Sequence, residues 1–221
     1  MFRAAIFDMD GLLIDSEPFW REVEMNVFGR LDMPLTEQMC YETAGMRLDA
    51  VVNHWLRYFG QEQLDSAAIQ NDITDAYIDL VRQKGTPMKG VAYIIDFFRQ
   101  RNIKIGLASS SSERIIAAVL HRLQIETLFD VICSAQNEKH GKPQPDVFLT
   151  AARNLATLPH ECLVFEDAYN GVLAARAAQM SVVAVPDPHY FDSPKFDVAH
   201  LKLPTLQHFT QVHFEDLCHR K

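Results

Sequence analysis

Two aspartates one residue apart, Asp8 and Asp10 in FDMDG, end a run of four apolar residues, Ala4 to Phe7. Carboxylates that close repel each other unless a cation lies between them or one stays protonated. A turn is the simplest account, since Asp and Gly favour turns and Gly11 follows at once. Further along the chain, Ser109 to Ser112 follow the apolar run IKIGLA, Lys142 in KHGKPQPD follows VICS within a short loop, and Glu166 and Asp167 follow CLVF. Each group alone has an ordinary turn or capping explanation. Together, acids, hydroxyls and a lysine suit phosphoryl transfer. Asp8, Asp10 and Asp167 offer the hard oxygen ligands that Mg²⁺ takes, with positions left for water and a phosphate oxygen. A carboxylate attacking phosphorus forms an aspartyl-phosphate and divides one difficult displacement into two easier ones. Ser109, the backbone N–H groups of its loop and Lys142 can hold the equatorial oxygens, where negative charge is spread. Asp10 is close enough to protonate the leaving oxygen and then activate water.

These residues need a scaffold that brings them to one place. Five apolar runs read as buried strands: Ala4 to Phe7, Ile103 to Ala108, Val131 to Ser134, Cys162 to Phe165 and Ser181 to Val185. Helical patterns lie between them. Ser112 can cap a helix in which Ile115, Ile116, Val119, Leu120 and Leu123 share one face. PDVFLTAARNL begins with a proline suited to a first helical turn, and AYNGVLAARAAQM is long enough for about three turns. Strand–helix alternation predicts a doubly wound α/β fold with a parallel sheet. In such sheets ligands bind beyond the carboxyl ends of the strands, where all the groups above fall.

Residues 16–84 break the alternation. They hold no apolar strand run but carry helical periodicity in Trp20, Val23, Val27 and Phe28, in Val51, Val52, Trp55 and Leu56, and in Ile69, Ile73, Tyr77 and Leu80. The pattern predicts a helical insertion over 16–85 whose aromatics form its own core, leaving residues 1–15 and 86–221 as the catalytic core. Gly85-Thr86-Pro87 punctuate its return. The insertion is acidic, with 6 Lys/Arg against 12 Asp/Glu over 16–84. After Pro186, Val198 to Leu203 and FTQVHFEDL are expected to finish the sheet edge and add a helix.

Composition narrows the partners. The chain has 221 residues, 48% hydrophobic and 23% charged, as in a globular protein. Its formal net charge of −8, without a Lys/Arg cluster, argues against a nucleic-acid partner and for a small-molecule one. No stretch approaches the roughly 20 apolar residues that span a bilayer, and Asp8 and Asp10 interrupt any signal-peptide order at the start. A cytoplasmic monomer is the expectation. Cys40, Cys133, Cys162 and Cys218 lack C-x-x-C spacing and read as reduced thiols, mostly in the core.

D-M-D-G at 8–11, A-S-S at 108–110, K-P-Q-P-D at 142–146 and F-E-D-A-Y-N-G at 165–171 match, in order and spacing, the four motifs of the haloacid dehalogenase superfamily. The resemblance spans the chain and includes a helical cap after the first strand. Within the superfamily the sequence is similar to the β-phosphoglucomutase-like branch and to bacterial sugar-phosphate phosphatases that act on substrates such as 2-deoxyglucose 6-phosphate. The resemblance implies Asp8 as nucleophile and metal ligand, and Asp10 as acid/base with its backbone carbonyl a further ligand. It implies Ser109, Ser110 and Lys142 as phosphoryl-binding residues, and Asp167 completing an Mg²⁺ site with Glu166 beside it as ligand or support.

Three departures distinguish branches. The mutases carry a histidine where Trp20 stands here, and their cap-loop arginine lies three residues after its glycine, one position later than Arg47 after Gly45. Residues 1–83 hold no lysine, so the Schiff-base chemistry of phosphonate hydrolases is disfavoured. The expectation is therefore a phosphatase of hexose phosphates, with Arg47 meeting the sugar and Trp20 shaping the wall. A sugar-phosphate mutase is the alternative, and a non-catalytic phosphate-sensing module a third. Gln179, where the family commonly has glycine, is expected in a left-handed conformation.

Overall fold

The computed structural model describes residues 1–219. The first strand, β1 (Ala4–Phe7), is buried along its whole length and leads into the helices α1 (Glu17–Gly29), α2 (Glu37–Glu42), α3 (Leu48–Tyr58) and α4 (Ser66–Lys84). These form the helical cap. The alternating part follows with α5 (Val91–Arg99), β2 (Lys104–Ser109), α6 (Glu113–Leu123), β3 (Val131–Ser134) and α7 (Asp146–Asn154). It ends with β4 (Cys162–Glu166), α8 (Tyr169–Ala177), β5 (Ser181–Ala184), a short β6 (Leu201–Lys202) and α9 (Gln211–His219).

The strands pair in the order β3-β2-β1-β4-β5-β6, all parallel. Chain order reverses at β1, which places the switch point between β1 and β4. Parallel strands covered by helices on both faces must be apolar on both faces. Alternate residues here do enter different cores: Ala5, Phe7, Leu163 and Phe165 pack on one side, Ala4, Ile6, Cys162 and Val164 on the other. The first side is aromatic, with Phe7 stacked on Phe165 at 4.9 Å and Phe98 edge-on to both. The second is lined by small residues such as Ala151, Ala152, Ala174 and Ala175, so α7 and α8 pack close to the sheet. Truncating Phe98, fully buried at this junction, costs about 3–5 kcal/mol.

The two chain segments that link cap to core run side by side. Asp15 N–H donates to Thr86 O at 3.1 Å, Met88 N–H donates to Leu13 O at 3.0 Å, and Ile14 bridges Pro87. Local details differ from the sequence reading. The second strand lies one residue later than expected. Ser112 occupies the N-cap of α6, but its hydroxyl makes no capping bond and is buried without a hydrogen-bond partner among the described residues. Pro145 caps α7 instead of opening its first turn. Gln179 adopts φ +60°, as the missing glycine implies. Cys40, Cys133 and Cys162 are buried free thiols and Cys218 is half-buried. Among the described residues no helix is long and apolar enough to cross a membrane.

Candidate active site

The carboxyl ends of β1, β2 and β4 converge on one cavity beneath the cap. Asp8 leaves β1 and donates its N–H to Phe165 O at 3.0 Å, so the strand pairing itself fixes the nucleophile candidate beside Glu166. Lys142 arrives from the loop before α7 with a side chain only 1% exposed. Its ammonium donates to Asp8 Oδ1, to Glu166 Oε1 at 2.5 Å and to Ala108 O at 3.1 Å. Carboxylate oxygens of Asp8, Glu166 and Asp167 all lie within 4.8 Å of one another.

Three carboxylates face one ammonium. Burial, then the Glu166 charge, push the Asp8 carboxyl up to about 8 even though Lys142 opposes the shift. Burial, Glu166 and Asp8 raise Asp167 well above the carboxylate range. Burial works against the Lys142 ammonium, but Asp8 and Glu166 outweigh it and hold it above the ordinary lysine value. The charge deficit is two, and the donors are hard oxygens, so the cluster fits a divalent cation of the oxygen-seeking kind. Glycine keeps this space open. Gly11 has φ +68°, and a Cβ there would lie 2.2 Å from Asp167 Oδ2; at Gly171 a Cβ would lie 1.9 Å from the Glu166 carboxyl.

Asp10 is held differently. Its carboxylate is not in the three-acid cluster but turns toward the cap, accepting on Oδ1 from Ser16 Oγ at 2.8 Å, Trp20 Nε1 at 3.1 Å and Tyr77 Oη at 2.5 Å. Ser111 Oγ donates to Oδ2 at 2.7 Å. Charge-assisted bonds of this kind fix orientation strongly, and two of the donors, Trp20 on α1 and Tyr77 on α4, belong to the cap. The two rings stack at 4.0 Å. Burial and the Asp10 charge raise the Tyr77 hydroxyl well above its usual value, so it stays a donor.

Ser109 is buried at the end of β2, where its hydroxyl accepts from Ser111 N–H at 3.0 Å and lines the cavity. Ser110 also lines it, and its hydroxyl donates to Gly45 O of the cap at 2.9 Å. Arg47 is placed elsewhere. Its guanidinium is paired with both oxygens of Asp49 at 2.6 and 2.7 Å and donates to Ala135 O and Glu138 O of the core at 3.1 and 3.0 Å. The expected contact with a sugar in the cavity is therefore not what its geometry offers; these bonds direct it into a neighbouring groove, where it fastens cap to core.

Sequence reasoning singled out Trp20 but assigned Tyr77 to the cap core and passed over Glu17, Arg21 and Glu24, all three of which line the cavity from α1. A signal for Glu24 existed: it stands four residues from Trp20 and from Phe28, inside the apolar stripe of α1.

Comparison with known proteins agrees with this geometry. Residues 5–185 match the family model described as haloacid dehalogenase-like hydrolase. The chain is similar to hexitol phosphatase B of Escherichia coli (strain K12), 33% identical over 208 residues covering 94% of each chain. It is also similar to β-phosphoglucomutase of Bacillus subtilis, 31% identical over 189 residues covering 83% of each. The solved β-phosphoglucomutase structure from Clostridium difficile shares the fold, with a TM-score of 0.90 over 100% of this chain and 98% of that one at 23% identity. With its parallel sheet, helical cap and four motifs gathered at the strand ends, the chain belongs to the haloacid dehalogenase-like hydrolase family.

Proposed function

We propose that this enzyme is an Mg²⁺-dependent phosphatase of small phosphorylated carbohydrates, hexose and hexitol phosphates first among them, acting through an aspartyl-phosphate on Asp8. The observation that carries the reading is the convergence of Asp8, Glu166, Asp167 and Lys142, three buried carboxylates and one ammonium, at the sheet edge under the cap. Asp8, Asp167 and Glu166 would hold the metal, which when bound would neutralise their charge and polarise a phosphoryl oxygen. The resemblance implies that the Asp10 backbone carbonyl would add to this ligand set, while its carboxylate handles protons.

The chain's own residues carry the steps. The Asp8 carboxylate attacks phosphorus, the bond to the sugar oxygen breaks, and Asp10 gives that oxygen a proton. Water then attacks the aspartyl-phosphate, Asp10 takes its proton, and the Asp8 carboxylate is released with inorganic phosphate. Ser109, Ser110 and Lys142 orient the phosphoryl oxygens. The cap excludes bulk water during the first step and contributes Trp20 and Tyr77 to the alignment of Asp10.

The relative named hexitol phosphatase B supports hydrolysis of a carbohydrate phosphate, and the relative named β-phosphoglucomutase supports phosphoryl transfer to a sugar. A panel of hexose, hexitol, glycerol and nucleoside monophosphates, assayed with Mg²⁺ and with chelator, separates them. Mg²⁺-dependent release of inorganic phosphate is the expected result. An isomeric sugar phosphate appearing without free phosphate would overturn the phosphatase reading in favour of a mutase.

A further inference from the structure

One wall of the cavity is built by α1. Residues 17, 21 and 24 are spaced by four and three, so their side chains share one face of that helix, and all three line the cavity. Glu24 is 6% exposed, and its Oε2 has no hydrogen-bond partner among the described residues. The Cys40 thiol lies against the same carboxyl. Arg21 Nη1 is likewise buried and without a hydrogen-bond partner, its nearest counter-charge being Glu17 Oε2 at 3.9 Å. The guanidinium is kept in place by the Tyr41 ring, 4.9 Å below it.

Buried polar atoms are almost always hydrogen-bonded, because leaving one unmet forfeits its interaction with water. Two unmet atoms on one wall of one cavity, an acceptor and a donor, point to something that supplies both. A hydroxyl does so, and neighbouring hydroxyls do so together. Charge narrows the class further. Among the described residues the cations lining this cavity are Lys142, committed to Asp8 and Glu166, and Arg21, flanked by Glu17 and Glu24. A second phosphate on the leaving group would meet one guanidinium between two acids.

We infer that Arg21 and Glu24 form the leaving-group subsite, that it recognises the hydroxyls of a neutral polyol, and that it selects monophosphates over bisphosphates. The inference rests on the phosphatase reading and specifies its substrate class. Glu24 accepts from one hydroxyl and Arg21 donates to its neighbour, which fixes the ester oxygen near Asp10. A site built to hydrogen-bond a substrate hydroxyl rejects the analogue that lacks it far more strongly than an apolar pocket discriminates by size.

The test compares three substrates on the full chain with Mg²⁺: a hexitol monophosphate, a six-carbon alkyl monophosphate without hydroxyls, and a hexose bisphosphate. The wild type is expected to favour the hexitol ester over the alkyl ester by about 100-fold or more in kcat/KM, and over the bisphosphate by about tenfold or more. In Glu24→Leu the hexitol-to-alkyl ratio is expected to fall by about tenfold or more. Its melting temperature should be no lower than wild type, because a buried carboxyl with one unpartnered oxygen is removed. Arg21→Gln should lower the same ratio. Calorimetry of hexitol monophosphate binding to Asp8→Asn protein, with and without Glu24→Leu, gives a readout independent of turnover, and a dissociation constant raised about tenfold is expected.

Equal rates on hexitol and alkyl esters in the wild type, an unchanged ratio in both variants, or a preference for the bisphosphate would each overturn the inference while leaving the phosphatase reading intact. Failure of the wild type to release phosphate from any of the three overturns both.

Discussion

Replacing Lys142 by methionine isolates the electrostatics of the site. The ammonium is buried against Asp8, Glu166 and Ala108 O, and methionine keeps most of its length while removing the charge. Removing one partner from a buried ion pair costs about 3–5 kcal/mol, because the remaining charge is left uncompensated. In a chain of this size each kcal/mol moves the melting temperature by about 2–4 °C, so Lys142→Met should melt about 6–20 °C below wild type in chelator. The pH dependence has a definite sign. Lys142 is held above its ordinary pKa, so its stabilisation is in place below the ordinary lysine value and is lost only as pH rises through the folded one. Asp8 is raised from 3.8 to about 8, so the metal-free protein binds a proton there that the unfolded chain releases, and its stability falls as pH rises across that window. In the variant the orphaned carboxyls can neutralise themselves at low pH. The deficit should therefore be smaller at pH about 6 than at pH about 9. Circular dichroism melts at both pH values, in chelator, measure it. A variant within about 2 °C of wild type at the higher pH, or a deficit that grows on acidification, would refute the electrostatic account.

Three other perturbations address the cap and the metal cluster. Tyr77→Phe removes a 2.5 Å donor from Asp10, and kcat should fall by about tenfold or more, read by phosphate release at saturating substrate. Arg47→Ala removes the bonds to Ala135 O and Glu138 O, and steady-state kinetics should show KM rising by a similar factor, about tenfold, for every phosphomonoester. A changed ranking of substrates would restore Arg47 as a sugar contact. Gly171→Ala places a Cβ 1.9 Å from the present Glu166 carboxyl, so titration of activity with Mg²⁺ should give a half-saturating concentration about 10–100-fold higher, with a lower melting temperature.

How much of this was legible beforehand divides by range of interaction. The strands and the residues at their carboxyl ends are set by local patterns: a buried parallel strand must be apolar on both faces, and Asp8, Ser109 and Glu166 lie at or immediately after such runs. The cap contributions were harder to read because they depend on how α1 and α4 seat on the core. Tyr77 occupies the same apolar stripe as Ile69 and Ile73, and nothing in its spacing separates a core ring from one whose hydroxyl reaches Asp10, 67 residues away. Arg47 was read from its place in a loop over the site, yet Asp49, two residues on, claims its guanidinium and turns it toward the core carbonyls. Glu166 was left between ligand and support by the motif alone. Its oxygens now stand with those of Asp8 and Asp167, a placement fixed by the β1–β4 register. Glu24, passed over, did carry a signal in its sequence position, a carboxyl inside an apolar stripe.

The central claim is that Asp8 carries the phosphoryl group. Rapid acid quench of the enzyme during turnover of a hexitol phosphate with Mg²⁺, followed by borohydride reduction and peptide mass spectrometry, tests it directly, since an acyl phosphate is reduced to the alcohol while a free carboxylate is not. The account predicts homoserine at position 8, absent without substrate, while Asp10, Glu166 and Asp167 are unchanged. Reduction at another acid, or an intact Asp8 in an enzyme caught in turnover with phosphoryl-enzyme present, would contradict it.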